Sequence, residues 1–196
     1  MTTIAFIRHG ETDWNIERRA QGCMDIPLNE QGIKQAKALA ERLRTEKWDA
    51  IYASPLSRAF KTAEAIQELT GLDILPDDRL REISFGETEG TTEAERIERW
   101  GEDWIKLELG RESNELADTR WQEALKEIVQ NHENQKVLIV THGALLVRIY
   151  KSFLQDKTDK WYGLNNTSLS IFKLQDQNWS CELFNCHKHL EEAKTI

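Results

Sequence analysis

Two apolar runs in this chain end in the same step: Ile4-Ala5-Phe6-Ile7 leads into Arg8-His9-Gly10, and Val137-Leu138-Ile139-Val140 leads into Thr141-His142-Gly143. A strand with one face in water alternates apolar and polar residues, so an unbroken apolar run marks a strand buried on both faces. Such strands belong to a mainly parallel sheet covered by helices on each side, and the segments between the runs supply those helices. Ile33, Ala36, Ala40 and Leu43 have helical spacing, with Asn29 as the cap. Residues 49–54 read as the next strand. Ser54-Pro55 then reads as a helix opening, with a hydroxyl at the N-cap, proline at the first helical position and Gly71 as the stop. Further along, residues 74–75 are extended, 121–131 helical, 136–141 a strand and 144–154 a helix. Residues 169–174 and 179–186 form a terminal hairpin at a sheet edge, split by the polar turn 175–178.

Composition narrows the partners. The 196 residues carry a net charge of −8, which argues against nucleic acid or an anionic membrane surface, because both demand clustered Lys and Arg. Neither apolar run approaches the roughly 20 residues of a membrane span, and Arg8 and His9 interrupt the start before a signal peptide can form. The expected location is cytoplasmic. Cys23, Cys181 and Cys186 are odd in number with no C-x-x-C pair and are expected to be free thiols. With three prolines and no repeat, one domain over residues 1–196 is expected, with an excursion at about 91–118 where the pattern changes character.

In an open sheet of this class ligands gather beyond the carboxyl ends of the strands. There the sequence places Arg8-His9-Gly10-Glu11-Thr12, Thr141-His142-Gly143, and Ser54-Pro55 running to Arg58. Each His-Gly step gives a histidine leaving a buried strand, followed by the residue that best permits close backbone approach to a ligand. Arg58 falls in the first turn of its helix, against the macrodipole, which favours an anion beside it. Two guanidinium forks match a phosphoryl group. A histidine among these cations can serve as base, metal ligand or nucleophile. The metal reading lacks an H-E-x-x-H and has only Glu11 nearby, whereas a neutral imidazole attacks phosphorus if its other nitrogen donates to a carbonyl such as that of Gly10. Taken by itself, Glu82 reads as an ion-pair partner of Arg79 or Arg81.

The runs Arg8-His9-Gly10-Glu11-Thr12-Asp13-Trp14-Asn15, Gln21-Gly22, Ser54-Pro55-Leu56-Ser57-Arg58-Ala59, Leu80-Arg81-Glu82-Ile83-Ser84-Phe85-Gly86 and Thr141-His142-Gly143 together resemble the histidine phosphatase (phosphoglycerate mutase-like) superfamily. The resemblance implies a three-layer α/β/α sandwich with a mixed, mainly parallel central sheet and a small helical lid insertion, needing no metal and no cofactor. It implies His9 as the nucleophile that becomes a phosphohistidine, with Arg8, Arg58 and His142 on the phosphoryl oxygens. Asn15 adds a side-chain contact and the Gly143 amide a backbone one, and Gln21, Gly22 and Cys23 lie along the substrate loop. Glu82 is implied as proton donor to the leaving group and then base for water. Where the family often reads F-G-x-W-E-G, this chain has Thr88 in place of the tryptophan, which bears on the shape of the entrance.

Three functions are compatible with such a site: a phosphatase, a phosphoglycerate mutase and a non-catalytic phosphate-binding module. Residues 91–118 hold nine acids against four bases, a poor partner for the second phosphate of a bisphosphorylated intermediate. The R-H-Y-G that mutases carry after the glutamate is absent. Hydrolysis of a small phosphorylated metabolite is the expectation, and a homodimer is left open. Trp100 and Trp104, four apart, are expected in the core. His187 and His189 alternate as on a strand face without a convincing metal-ligand set, and His132 closes a helix.

Overall fold

The computed structural model describes residues 1–158 and 162–192. Strand β1 (Thr2–Arg8) lies beside β4 (Lys136–Thr141), and β2 (Ala50–Ala53) and β3 (Ile74–Pro76) continue the sheet, all four parallel. On the other side of β1 the antiparallel hairpin β5 (Leu169–Gln175) and β6 (Asn178–Cys186) completes the order β3-β2-β4-β1-β5-β6. The hairpin is the expected edge.

Both faces of β1 and β4 are buried, as their composition requires. Ile4 and Phe6 of β1 pack with Trp121, Ala124 and Ile128 of α5 (Asn114–Asn131) and with Leu145 and Ile149 of α6 (Gly143–Phe153). Ala5 and Ile7 point the other way, onto Leu39 and Leu43 of α2 (Glu30–Leu43) and Ala63 and Ile66 of α3 (Ser57–Thr70). This is the three-layer sandwich with a mixed, mainly parallel sheet. Short helices α1 (Asp13–Ile16), α4 (Glu93–Trp100) and α7 (His189–Glu192) decorate it. Asn29 caps α2 by accepting from the Gly32 amide, and Gly71 ends α3 with a left-handed φ of 71°. Among the described residues no helix is long and apolar enough to cross a membrane, and the three cysteines are free.

Several local expectations need correction. Helix α3 opens at Ser57 with Leu56 as a cap that makes no side-chain bond, so Ser54 is not its N-cap and Pro55 not its first residue. Helix α5 begins at Asn114, capped by Ser113, rather than at residue 121. Trp100 ends α4 while Trp104 sits in a separate 3-10 turn, and both are only half-buried. Arg96 lies 4.6 Å over the Trp104 ring and Arg99 6.0 Å over Trp100. These guanidiniums take the place of core packing. Strand β6 stops at Cys186, so His189 heads α7 and bonds Thr167 Oγ1 at 3.0 Å, while His187 Nδ1 meets Asn165 Nδ2 at 3.1 Å. His132 does close a helix, and its Nε2 meets Tyr52 Oη at 3.0 Å.

Candidate active site

The sheet positions the site by adjacency. Arg8 ends β1 and pairs in register with Thr141, the last residue of β4, so His9 and His142 leave neighbouring parallel strands side by side with ring centroids 5.2 Å apart. Both rings are buried. His9 Nδ1–H donates to Gly10 O at 2.7 Å, which leaves the Nε2 lone pair as the free end of the imidazole. Burial first, then the charges of Arg58 and Arg8, hold the His9 pKa well below the ordinary histidine value. Burial and Arg58 do the same to His142, with His9 and Arg8 adding. Both rings are neutral at physiological pH.

Gly10 admits protein rather than ligand. A Cβ there would come within 2.6 Å of Gly32 O, so the residue lets the first turn of α2 close on the loop after β1. Gly22, by contrast, has a left-handed φ of 53°, and a Cβ would strike the Glu89 carboxylate.

Arg58 is fully buried, its Nη1 donating to Met24 O at 2.7 Å and its Nη2 to Gly22 O at 2.8 Å. The loop of Gln21, Gly22 and Cys23 thus holds the guanidinium from behind. Glu89 holds the loop in turn: its Oε1 accepts from the amides of Cys23 (3.0 Å) and Phe85 (2.8 Å) and from Ser84 Oγ (3.1 Å). Arg8 donates through Nη1 to Leu164 O. Burial lowers the pKa of both arginines, and Glu82 partly offsets it.

Glu82 is buried and pairs with neither Arg79 nor Arg81, which bind Asp77 and Asp78. Its carboxylate sits on the start of α6, accepting from the amides of Ala144 (3.0 Å) and Leu145 (2.9 Å). That is where the helix dipole and its unpaired amides favour negative charge. Thr88 is buried and bonds Phe85 O at 2.8 Å, closing the turn that follows Phe85.

Together Arg8, His9, Asn15, Gln21, Gly22, Arg58, Glu82 and Gly143 line one cavity of about 260 Å³, walled further out by Arg19, Phe85, Tyr162 and Leu164. Cys23 lies just behind, its thiol toward Glu82 O at 3.3 Å. Four buried polar atoms here have no protein partner: Arg8 Nε, Arg58 Nε, His142 Nδ1 and Gln21 Oε1. Sequence reading missed the supports. Ser54 Oγ meets His142 Nε2 at 2.7 Å, Thr62 Oγ1 accepts from the Gly10 amide at 3.0 Å, and Asn166 reaches His9 O at 3.1 Å. For Ser54 the hydroxyl was visible and its partner, 88 residues away, was not.

The sequence matches the histidine phosphatase superfamily (branch 1) over residues 4–187. It is 35% identical over 191 residues to the uncharacterized phosphatase PhoE of Bacillus subtilis, covering 97% of each chain. To phosphoglycerate mutase-like protein 4 of Arabidopsis thaliana it is 34% identical over 202 residues, covering 97% of this chain and 87% of that one. The solved structure of Bacillus stearothermophilus YhfR superposes with a TM-score of 0.86 at 34% identity, over 95% of this chain and 99% of that one. The chain belongs to the histidine phosphatase superfamily, branch 1, and its activity is that of a histidine-phosphatase-type phosphomonoesterase.

Proposed function

We propose that this chain hydrolyses a small phosphorylated metabolite through a phosphohistidine on His9. One observation carries the reading: a buried neutral imidazole with its Nε2 free stands among three buried nitrogens that lack any protein acceptor, Arg8 Nε, Arg58 Nε and His142 Nδ1. Their unmet bonding is the complement of phosphoryl oxygens, whose charge spreads in the transition state. Asn15 Nδ2 and the Gly143 amide add donors on the same cavity. His9 Nε2 forms the new P–N bond as the P–O bond to the alcohol breaks, and Glu82 delivers its proton to the leaving oxygen. Glu82 then takes a proton from water as that water attacks phosphorus, and the P–N bond breaks to release inorganic phosphate and neutral His9.

Water, rather than a second phosphorylated alcohol, fits the entrance as acceptor. The excursion of residues 91–118 is acidic, and Arg19 at the cavity mouth is already bound to Glu17 and Glu95. The test is phosphate release from a panel of phosphomonoesters in EDTA, with 3-phosphoglycerate and 2,3-bisphosphoglycerate included, beside His9→Ala. Release that vanishes in the variant is expected. Interconversion of phosphoglycerates without phosphate release would replace hydrolysis by a mutase reaction, and no turnover at all would leave a binding module.

A further inference from the structure

Asn166 lies in the turn before β5, far in sequence from the catalytic motifs, and its side chain joins two parts of the site. Its Nδ2 donates to His9 O at 3.1 Å and to Asn15 Oδ1 at 3.2 Å. Asn15 Oδ1 also accepts from the Thr12 amide and from Thr12 Oγ1, both at 3.1 Å. Those donors settle which way the Asn15 amide faces, because a flipped amide would press its own NH2 against the Thr12 N–H and the Asn166 NH2. With Oδ1 held, Nδ2 is the end of Asn15 presented to the cavity it lines. The other bond fixes the main chain of His9, shared there with the Thr167 amide at 3.2 Å. Thr167 itself adopts a left-handed φ of 54°, anchored through Oγ1 to Asn166 O and to His189. One side chain thus references both the imidazole and the Asn15 donor to the same point.

We propose that Asn166 is a positioning residue that aims Asn15 Nδ2 at the phosphoryl oxygens and sets its distance from His9 Nε2. The proposal rests on the reading of Asn15 and His9 given above. Its test is a double-mutant cycle on the full chain, with kcat/KM for p-nitrophenyl phosphate and inhibition by orthovanadate as readouts. Asn166→Ala is expected to lower kcat/KM by about tenfold, the upper range for one neutral hydrogen bond, and to weaken vanadate inhibition by a similar factor. In the Asn15→Ala background the same change should alter either readout by no more than about twofold, because the Asn15 amide it aims is gone and the Thr167 amide still holds His9 O. Asn166→Asp keeps the shape but exchanges the donor for an acceptor, and should lose at least as much as Asn166→Ala; it also carries the cycle if the alanine variant folds poorly. A purely structural role would multiply the two losses. Multiplicative losses, or wild-type kcat/KM in both Asn166 variants, overturn the proposal. So does an Asn15→Ala enzyme of wild-type activity, which leaves the nucleophile reading intact if His9→Ala is dead. An active His9→Ala overturns the underlying reading and this inference together.

Discussion

Ser54→Ala isolates how the site chooses a tautomer. Ser54 is fully buried, and its Oγ accepts from the Leu56 amide at 3.3 Å while meeting His142 Nε2 at 2.7 Å. The hydroxyl has one proton and two acceptor positions, one of them filled by the amide. In the proposed mechanism the neutral His142 donates from Nδ1, the buried nitrogen that has no protein partner, and the Ser54 proton then goes to Nε2. Removing Oγ leaves the ring nitrogen and a weakly bound amide unpaired in the interior. At about 1–3 kcal/mol for the imidazole and less for the long amide contact, a loss of about 2 kcal/mol is expected. In a chain of this size that lowers Tm by roughly 4–8 °C.

Activity should fall further than stability predicts, since Nδ1–H loses the partner that kept it a donor. Deleting an oxyanion donor outright costs roughly a hundredfold to a thousandfold, and a donor left in place but unfixed should lose about tenfold to a hundredfold in kcat/KM. The assay is steady-state hydrolysis of p-nitrophenyl phosphate by wild type, Ser54→Ala, His142→Ala and the double variant, beside thermal melts. If Ser54 works through His142, the serine change has little kinetic effect once the histidine is gone. Wild-type kcat/KM in Ser54→Ala, or an undiminished loss in the His142→Ala background, would refute the tautomer argument.

Two other expectations follow from the same geometry. His9, His142 and His189 are held below their ordinary pKa, His189 at about 4 by burial and Arg42, so the unfolded chain gains protons below about pH 6.5 that the folded chain refuses. Stability is complete above that pH and falls as pH drops toward the folded values, by up to about 1.4 kcal/mol per pH unit for each group; denaturant melts across this window should show the decline, with a shallower slope in His142→Gln, and a flat profile would contradict it. Gly32→Ala is expected to destabilise by more than about 3 kcal/mol, beyond the usual range for a point change, because its Cβ would fall 2.0 Å from Glu11 O, a main-chain atom that cannot swing aside; denaturant midpoints measure it, and a midpoint near wild type would show that α2 and the loop after β1 separate easily.

The sheet was legible wherever one physical rule acted alone. The apolar runs of β1 and β4 admit only strands buried on both faces, and Gly71 and Asn29 are local devices with local partners. Reading failed where a residue had two claims on it. Ser54-Pro55 has the composition of a helix start, but the hydroxyl is committed to His142, and the chain turns once more before α3 begins. Helix α5 starts early because polar residues of its first turns have distant partners: Asp118 binds Arg148, and Arg120 binds Glu112 and the carbonyls of Arg79 and Arg81. A periodicity search sees those residues only as a polar stretch. Among the site residues, those in contiguous motifs could be read, while Asn166, 157 positions from His9, has its role set entirely by tertiary contact.

The charges of the pocket explain why these supports are needed. Arg8 and Arg58 bring two positive charges into a buried site, and Glu82 returns one negative charge. Burial first, and the two arginines after it, keep both histidines neutral, the state that the proposed mechanism needs for His9 Nε2 to give a lone pair and for His142 to donate without adding charge. Buried guanidiniums are retained at a cost in desolvation, so each is pinned through part of its fork by carbonyls of Leu164, Gly22 and Met24, leaving Nε without a protein partner. Glu82 caps α6 at the place where a phosphoryl dianion would also profit from the helix amides. On the proposed mechanism the substrate phosphate and the Glu82 carboxyl group then share one helix start.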